Sequence, residues 1–111
     1  MINDKINFFQ INLHNSYRAQ EELESRMSEC GNPSIAFIQE PPLPNHKIKY
    51  PHNYDNFASP RDSRACLFIP KALKFTYLPS LSSETLMVTQ GKLNQKNCLI
   101  ASIYIYVLNL E

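Results

Sequence analysis

Between Ile6 and Gln39 an apolar strand pattern, a helical pattern and a second apolar strand pattern follow one another with short joints. Two strands separated by a single helix lie parallel in one sheet, because the helix carries the chain back to the starting edge, and that crossover is right-handed. The first strand, "INFFQINL" (Ile6 to Leu13), puts Ile6, Phe8, Gln10 and Asn12 on one side and Asn7, Phe9, Ile11 and Leu13 on the other. Neither row is wholly polar, which predicts a strand inside the sheet. "HNS" then offers helix-capping residues, and Ala19, Leu23, Met27 and Cys30 recur along one helical stripe while Glu21, Glu22, Glu24, Arg26 and Glu29 take other positions. Gly31 is expected to stop the helix in a left-handed turn and Pro33 to prevent its continuation. "SIAFIQ" follows as the second strand. A layered α/β fold is the result.

The rest of the chain reads differently. From Pro41 to Pro60 it is polar and proline-rich, which predicts a surface loop. "ACLFIP", "FTYLP", "TLMVTQ" and "CLIASIYIYVL" are then short β-rich runs parted by turn residues, expected to form four strands of a mainly antiparallel meander. "QGKLNQKN" joins the last two, with Gly91 as the residue able to take positive φ. With 111 residues, residues 1–111 are expected to form one domain.

Composition narrows the functional classes. A formal charge of +1 excludes a broad basic surface, so contact with nucleic acid must be local. Cys30, Cys66 and Cys98 form no CxxC pair and have no histidine pair at zinc spacing, so they are expected to be buried thiols in a reducing compartment. "MINDKINFFQ" has neither the basic start nor the apolar core of a secretory signal. The longest apolar run has 11 residues, against the ~20 that a membrane helix needs. A soluble intracellular protein with no membrane contact is the expectation.

One carboxylate stands out. Glu40 follows the buried strand "SIAFIQ" directly, and the carboxyl end of a parallel strand is where α/β sheets open their ligand crevice. Asn12 holds the matching place on the first strand, and an amide with a carboxylate suits a hard cation such as Mg2+ (or Mn2+), which keeps waters for a phosphate to replace. Solvation of the loop entrance is the plainer role for Glu40. His14, His46 and His52 lie in loops and read as surface residues; Lys47 and Lys49 interleave with Tyr50 and Tyr54 in a pattern that can touch a nucleic-acid backbone. Ser82 and Ser83 have no nucleophile elbow around them.

"FFQINLHNSYRAQEELESRM", "PSIAFIQEPPLP", "DSRACLFIP" and "LIASIYIY", in that order, resemble the endonuclease/exonuclease/phosphatase superfamily, and within it the endonuclease domain of non-LTR retrotransposons with its "QxNL", "IxLIQEP", "RAxI" and "SxYxP" segments. The resemblance runs from Ile6 to Tyr106. It implies the N-terminal half of a two-sheet α/β sandwich and metal-dependent phosphodiester hydrolysis in DNA. It further implies that Glu40 binds the divalent metal, that Asn12 contacts the phosphate and the metal-bound network, and that Tyr104 hydrogen-bonds the phosphate. Arg64, from "RAC", matches a position of the retrotransposon branch and offers a forked cation for phosphate.

The resemblance also sets limits. The family's later "DxN" and "SDH" motifs do not occur in these 111 residues, so the expectation is a truncated endonuclease domain, inactive alone, with a weakly held metal. One sheet face would then stay uncovered, favouring self-association or pairing with a missing C-terminal half. A functional copy would act in the nucleus on the DNA phosphate backbone. The alternatives are a non-catalytic interaction module using the uncovered face and the Lys47–Tyr54 loop, and a phosphatase of the same superfamily.

Overall fold

A computed structural model describes residues 5–30, 33–42, 52–59 and 63–105. Strand β1 (Asn7–Asn12), helix α1 (Tyr17–Glu29) and strand β2 (Ser34–Gln39) form the crossover unit, with β1 and β2 parallel and paired from Asn7 with Ser34 to Asn12 with Gln39. Strands β3 (Tyr54–Phe57) and β4 (Ala65–Pro70) complete a mixed sheet in the order β1-β2-β4-β3. Strands β5 (Thr76–Tyr77), β6 (Leu86–Leu93) and β7 (Lys96–Ile103) make a second, antiparallel sheet in sequence order. The fold is a two-sheet α/β sandwich carrying α1 on one outer face.

Two cores explain the layering. On the helix side, Leu23 and Met27 pack with Leu13, Ala36, Ile38, Cys66 and Phe68. Between the sheets, Ile35, Leu67 and Ile69 meet Phe75, Met87 and Ile100. Strands β2 and β4 are therefore covered on both faces, which is why "SIAFI" and "ACLFI" are unbroken apolar runs. Helix α1 starts where Ser16 Oγ accepts from the Ala19 N–H at 3.1 Å. It ends at Cys30, whose backbone is extended and whose N–H reaches Met27 O. Cys30 thus caps the helix rather than extending the stripe, and Gln20 shares the buried face with Leu23 and Met27. Gly31 lies outside the described residues.

Several expectations change. β1 is an edge of its sheet, not an interior strand. Phe9 and Ile11 lie under α1, but the second sheet packs on β2 and β4 and stops short of β1, leaving Phe8 60% exposed. Mixed polarity on both rows is what such a half-covered edge requires. The segment Pro41 to Pro60 is not loop throughout, since Tyr54–Phe57 forms β3 against β4. The meander is split: β4 pairs with β2 and β3, and a 3-10 turn at Lys71–Leu73 carries the chain to the other sheet. β7 ends at Ile103, and the stretch from Tyr106 lies outside the described residues. Cys30, Cys66 and Cys98 form no disulfide, but only Cys66 is fully buried, which pushes its thiol up to about 12; Cys30 and Cys98 are half-buried. Among the described residues no helix is long and apolar enough to cross a membrane.

Gly91 has a different role from the one its type suggests. The hairpin turns on Asn94 and Gln95, with φ of 50° and 66°, the two left-handed positions of a type I′ turn. Gly91 sits within β6, and a Cβ there would lie 2.6 Å from the Phe75 ring. It is glycine because the ring lies against its backbone. Gly91→Ala is expected to cost about 1–3 kcal/mol through overpacking, read as a lower urea midpoint with an unchanged slope.

Candidate functional site

The parallel register brings Asn12 and Gln39 level at the carboxyl ends of β1 and β2, with Glu40 one residue beyond. The ladder continues past both strands, as the Leu13 N–H donates to Gln39 O at 2.8 Å and the Asn15 N–H to Glu40 O at 2.9 Å. From the other side, the Glu40 N–H donates to Arg64 O at 2.8 Å. These bonds hold Glu40 at φ 49°, although a residue before proline prefers extended backbone. His14 and Asn15, at φ 50° and 58°, share the left-handed region. Non-glycine residues there cost roughly 1–3 kcal/mol each and gather where surrounding structure over-determines them, as at ligand sites.

The side chains converge on the same rim. Asn12 Nδ2 donates to Glu40 Oε2 at 2.6 Å, and Asn12 Oδ1 accepts the His14 N–H at 2.8 Å. The second bond orients the amide, so its NH2 faces the carboxylate. Among the described residues Glu40 Oε1 takes no hydrogen bond. His14 Nδ1 lies 3.8 Å from Glu40 Oε2.

Arg64 and Tyr104 form the neighbouring pair, with the guanidinium carbon 5.9 Å from the ring centroid, within cation–π range. Both are hung from one short segment: the Arg64 N–H donates to Glu84 O at 2.6 Å and the Tyr104 N–H to Thr85 O at 2.8 Å. Of the residues singled out in the sequence, Asn12 and Glu40 touch, Arg64 and Tyr104 touch, and the Glu40–Arg64 backbone bond joins the pairs. Lys47 and Lys49 lie outside the described residues, as do His46 and Tyr50. His52 is exposed in a turn, and His14 is exposed as expected, with its ring Nδ1 near the Glu40 carboxylate.

Sequence reasoning missed the link between the sheets. Ser102 Oγ donates to Ile38 O at 3.0 Å and accepts from Gln39 Nε2 at 3.1 Å, tying β7 to β2 one residue before Glu40. The signal was present, for Ser102 opens the "SxYxP" segment and Gln39 precedes Glu40 in "QEP". Ser102→Ala is expected to cost about 1–3 kcal/mol because the buried Ile38 carbonyl and the half-buried Gln39 amide both lose a bond, measured by thermal unfolding.

For a cation, the rim offers the Glu40 carboxylate and the amide oxygen of Asn12. This donor set suits Mg2+, which takes one or two carboxylates and keeps several waters. No group of three His, Cys, Asp or Glu residues able to hold a metal occurs among the described residues. A site here would therefore be open and weak.

No family model matches the sequence, and no curated protein matches it. Among solved structures, the chain is similar to the endonuclease domain of TRAS1, a telomere-specific non-LTR retrotransposon, with a TM-score of 0.74 and 20% identity. The match covers 92% of this chain and 45% of that one, so the chain spans less than half the length of its neighbour. Strand-helix-strand unit, split sheets and rim thus belong to a nuclease-like fold, the fold of a non-LTR retrotransposon endonuclease domain.

Proposed function

We propose that the chain is the metal- and phosphate-binding half of a DNA endonuclease site, unable to complete phosphodiester hydrolysis by itself. The observation that carries this reading is the 2.6 Å contact between Asn12 and Glu40 at the ends of adjacent parallel strands. Glu40 would hold the divalent cation, which when bound supplies Lewis-acid stabilisation of charge on the phosphate. Asn12 orients the carboxylate through its NH2. Arg64 offers a bidentate cation to phosphate oxygens and Tyr104 a phenolic donor, the two within cation–π range of each other. Lys47 and Lys49 would add backbone contacts.

Asn12, Glu40, Arg64 and Tyr104 leave the general base unassigned. In-line attack on phosphate needs one positioned together with the charge stabilisers, and removing members of such a unit costs far more than a partial sum. Supercoiled plasmid incubated with the chain and Mg2+ or Mn2+ is expected to show no nicking that depends on Glu40, together with weak, salt-sensitive DNA retention that Arg64→Ala reduces. Robust nicking abolished by Glu40→Ala would refute the inactive reading. Absence of any DNA retention would refute the phosphate reading.

A second reading rests on a separate observation. Leu99 (61% exposed), Ile103 (53%) and Ile105 (69%) lie on or just beyond β7, and Phe8 on β1, so the outermost strands of both sheets carry large exposed apolar side chains. Between them runs a cleft of about 470 Å³ bordered by Phe8, Phe37, Gln39, Ala101 and Ile103. Unpaired strand edges with apolar flanks accept further polypeptide. The corresponding role is an interaction module that pairs with a second half or a second copy.

A further inference from the structure

The two sheets end on the same side in a step. β7 packs on β2 and β4, so β1 projects beyond it, and the cleft of about 470 Å³ under this overhang is lined by Phe8, Gln10, Ala101 and Ile103. Both strands run toward the rim, because Ser102 reaches Ile38 and Gln39 at the end of β2 and Tyr104 reaches Arg64. Their outer edges are open. The Asn7 and Leu13 N–H groups donate to the β2 side, and by alternation those of Phe8, Gln10 and Asn12 point away from it. The Tyr104 N–H donates to Thr85 on the β6 side, so the backbone groups of Leu99, Ala101 and Ile103 likewise point away from β6. Neither Asn7–Leu13 nor Asn97–Ile105 contains a charge or a proline, the usual guards of an exposed edge.

We propose that a second copy of this chain closes both edges, through a two-fold axis running along the strands midway between the sheets. That rotation exchanges the two sheet levels, so β1 of each copy pairs with β7 of the other and the overhang of one fills the step of its partner. The side chains match. Phe8 and Gln10 face the cleft from β1 and stack on the same two residues of the other copy. Leu99, Ala101 and Ile103 are exposed on the face of β7 opposite buried Ile100 and Ser102, and the corresponding face at β1 is the α1 side. There a second groove, of about 280 Å³, is walled by Phe9, Ile11, Ala19 and Leu23, and it receives the partner's Leu99 and Ile103. Two such edge pairings with their side chains bury on the order of 1,200–2,000 Å², the range of stable complexes. A net charge of +1 per copy adds little repulsion. Residues 106–111 of the same chain supply at most one strand, too little for two edges. The proposal deepens the interaction reading and stands apart from cation and phosphate binding.

Light scattering on the full chain gives its stoichiometry, and isotope-filtered NOE spectra of mixed labelled and unlabelled copies locate the contact. The expected result is a dimer at micromolar concentration, with NOEs from the Leu99 and Ile103 methyls of one copy to Ala19 and Leu23 of the other. Phe8→Glu and Leu99→Lys each put a charge into the contact and are expected to weaken the dimer about tenfold or more. Both side chains are exposed in the single chain, so far-UV circular dichroism should not change. The NOE contacts decide the case even where a variant misfolds. Assembly beyond the dimer would overturn the proposal, because the two-fold uses up both edges. So would a dimer that lacks these NOEs or is unmoved by both substitutions. A monomer at every concentration would overturn it and leave the cleft to a second half of different sequence, and none of these outcomes bears on cation binding at Glu40.

Discussion

Phe68→Ala is expected to remove about 3–5 kcal/mol of unfolding free energy, the range for truncating a buried aromatic residue. Phe68 stands mid-way along β4, opposite Ala36 of β2 and Asn56 of β3, with no exposed surface. Its ring belongs to the core that seats Leu23 and Met27 of α1, and Leu13 in that core is the residue after Asn12. Small domains are stable by only ~5–15 kcal/mol, so this one change should remove a large part of the margin. Urea unfolding followed by circular dichroism gives the number. A loss below about 1 kcal/mol would mean that the layer between α1 and the first sheet is not packed as described.

Glu40→Gln should have the opposite profile, with little effect on folding and a large one on cation binding. The Gln amide oxygen can still accept from Asn12 Nδ2, and the bonds to Asn15 and Arg64 are made by the Glu40 backbone. Stability should therefore change by less than about 0.5 kcal/mol. The rim, however, loses the Glu40 carboxylate, and even displacing a residue that orients a ligand costs about 10–100-fold in metal affinity. Calorimetric titration with Mn2+ should show at least that loss. Equal affinity in both proteins would locate the cation elsewhere.

The fold was readable where local pattern and tertiary position agree. The Leu23 and Met27 stripe, the Ser16 cap and the doubly buried β2 and β4 follow directly from residue order. The errors arose where one pattern has two physical causes. Mixed rows in "NFFQIN" fit an interior strand and equally an edge covered on one face. β3 has four residues, "YDNF", with two polar side chains, and is a strand only because β4 offers it an open edge. Gly91 suggested a turn because glycine permits positive φ, yet Asn94 and Gln95 take that backbone while Gly91 makes room for Phe75.

For the site, Asn12 and Glu40 could be placed at one rim because parallel pairing fixes which strand ends are level. Arg64 beside Tyr104 could not, for that contact depends on Glu84 and Thr85 accepting from both backbones across a change of sheet. His14 reads as a surface loop residue and is one. Nothing in residue order fixes a left-handed turn at a histidine, and only that turn brings its ring to the carboxylate.

The claim on which the functional account depends is that Asn12, Glu40, Arg64 and Tyr104 surround one cation- and phosphate-binding point. Substoichiometric Mn2+ added to the isotopically labelled chain tests it, because paramagnetic broadening marks the nuclei nearest the ion. The account predicts that the Asn12 side-chain amide and the backbone signals of His14, Glu40 and Arg64 broaden first and together, and that Glu40→Gln abolishes the effect. Broadening centred on other residues, or unchanged by Glu40→Gln, would contradict it.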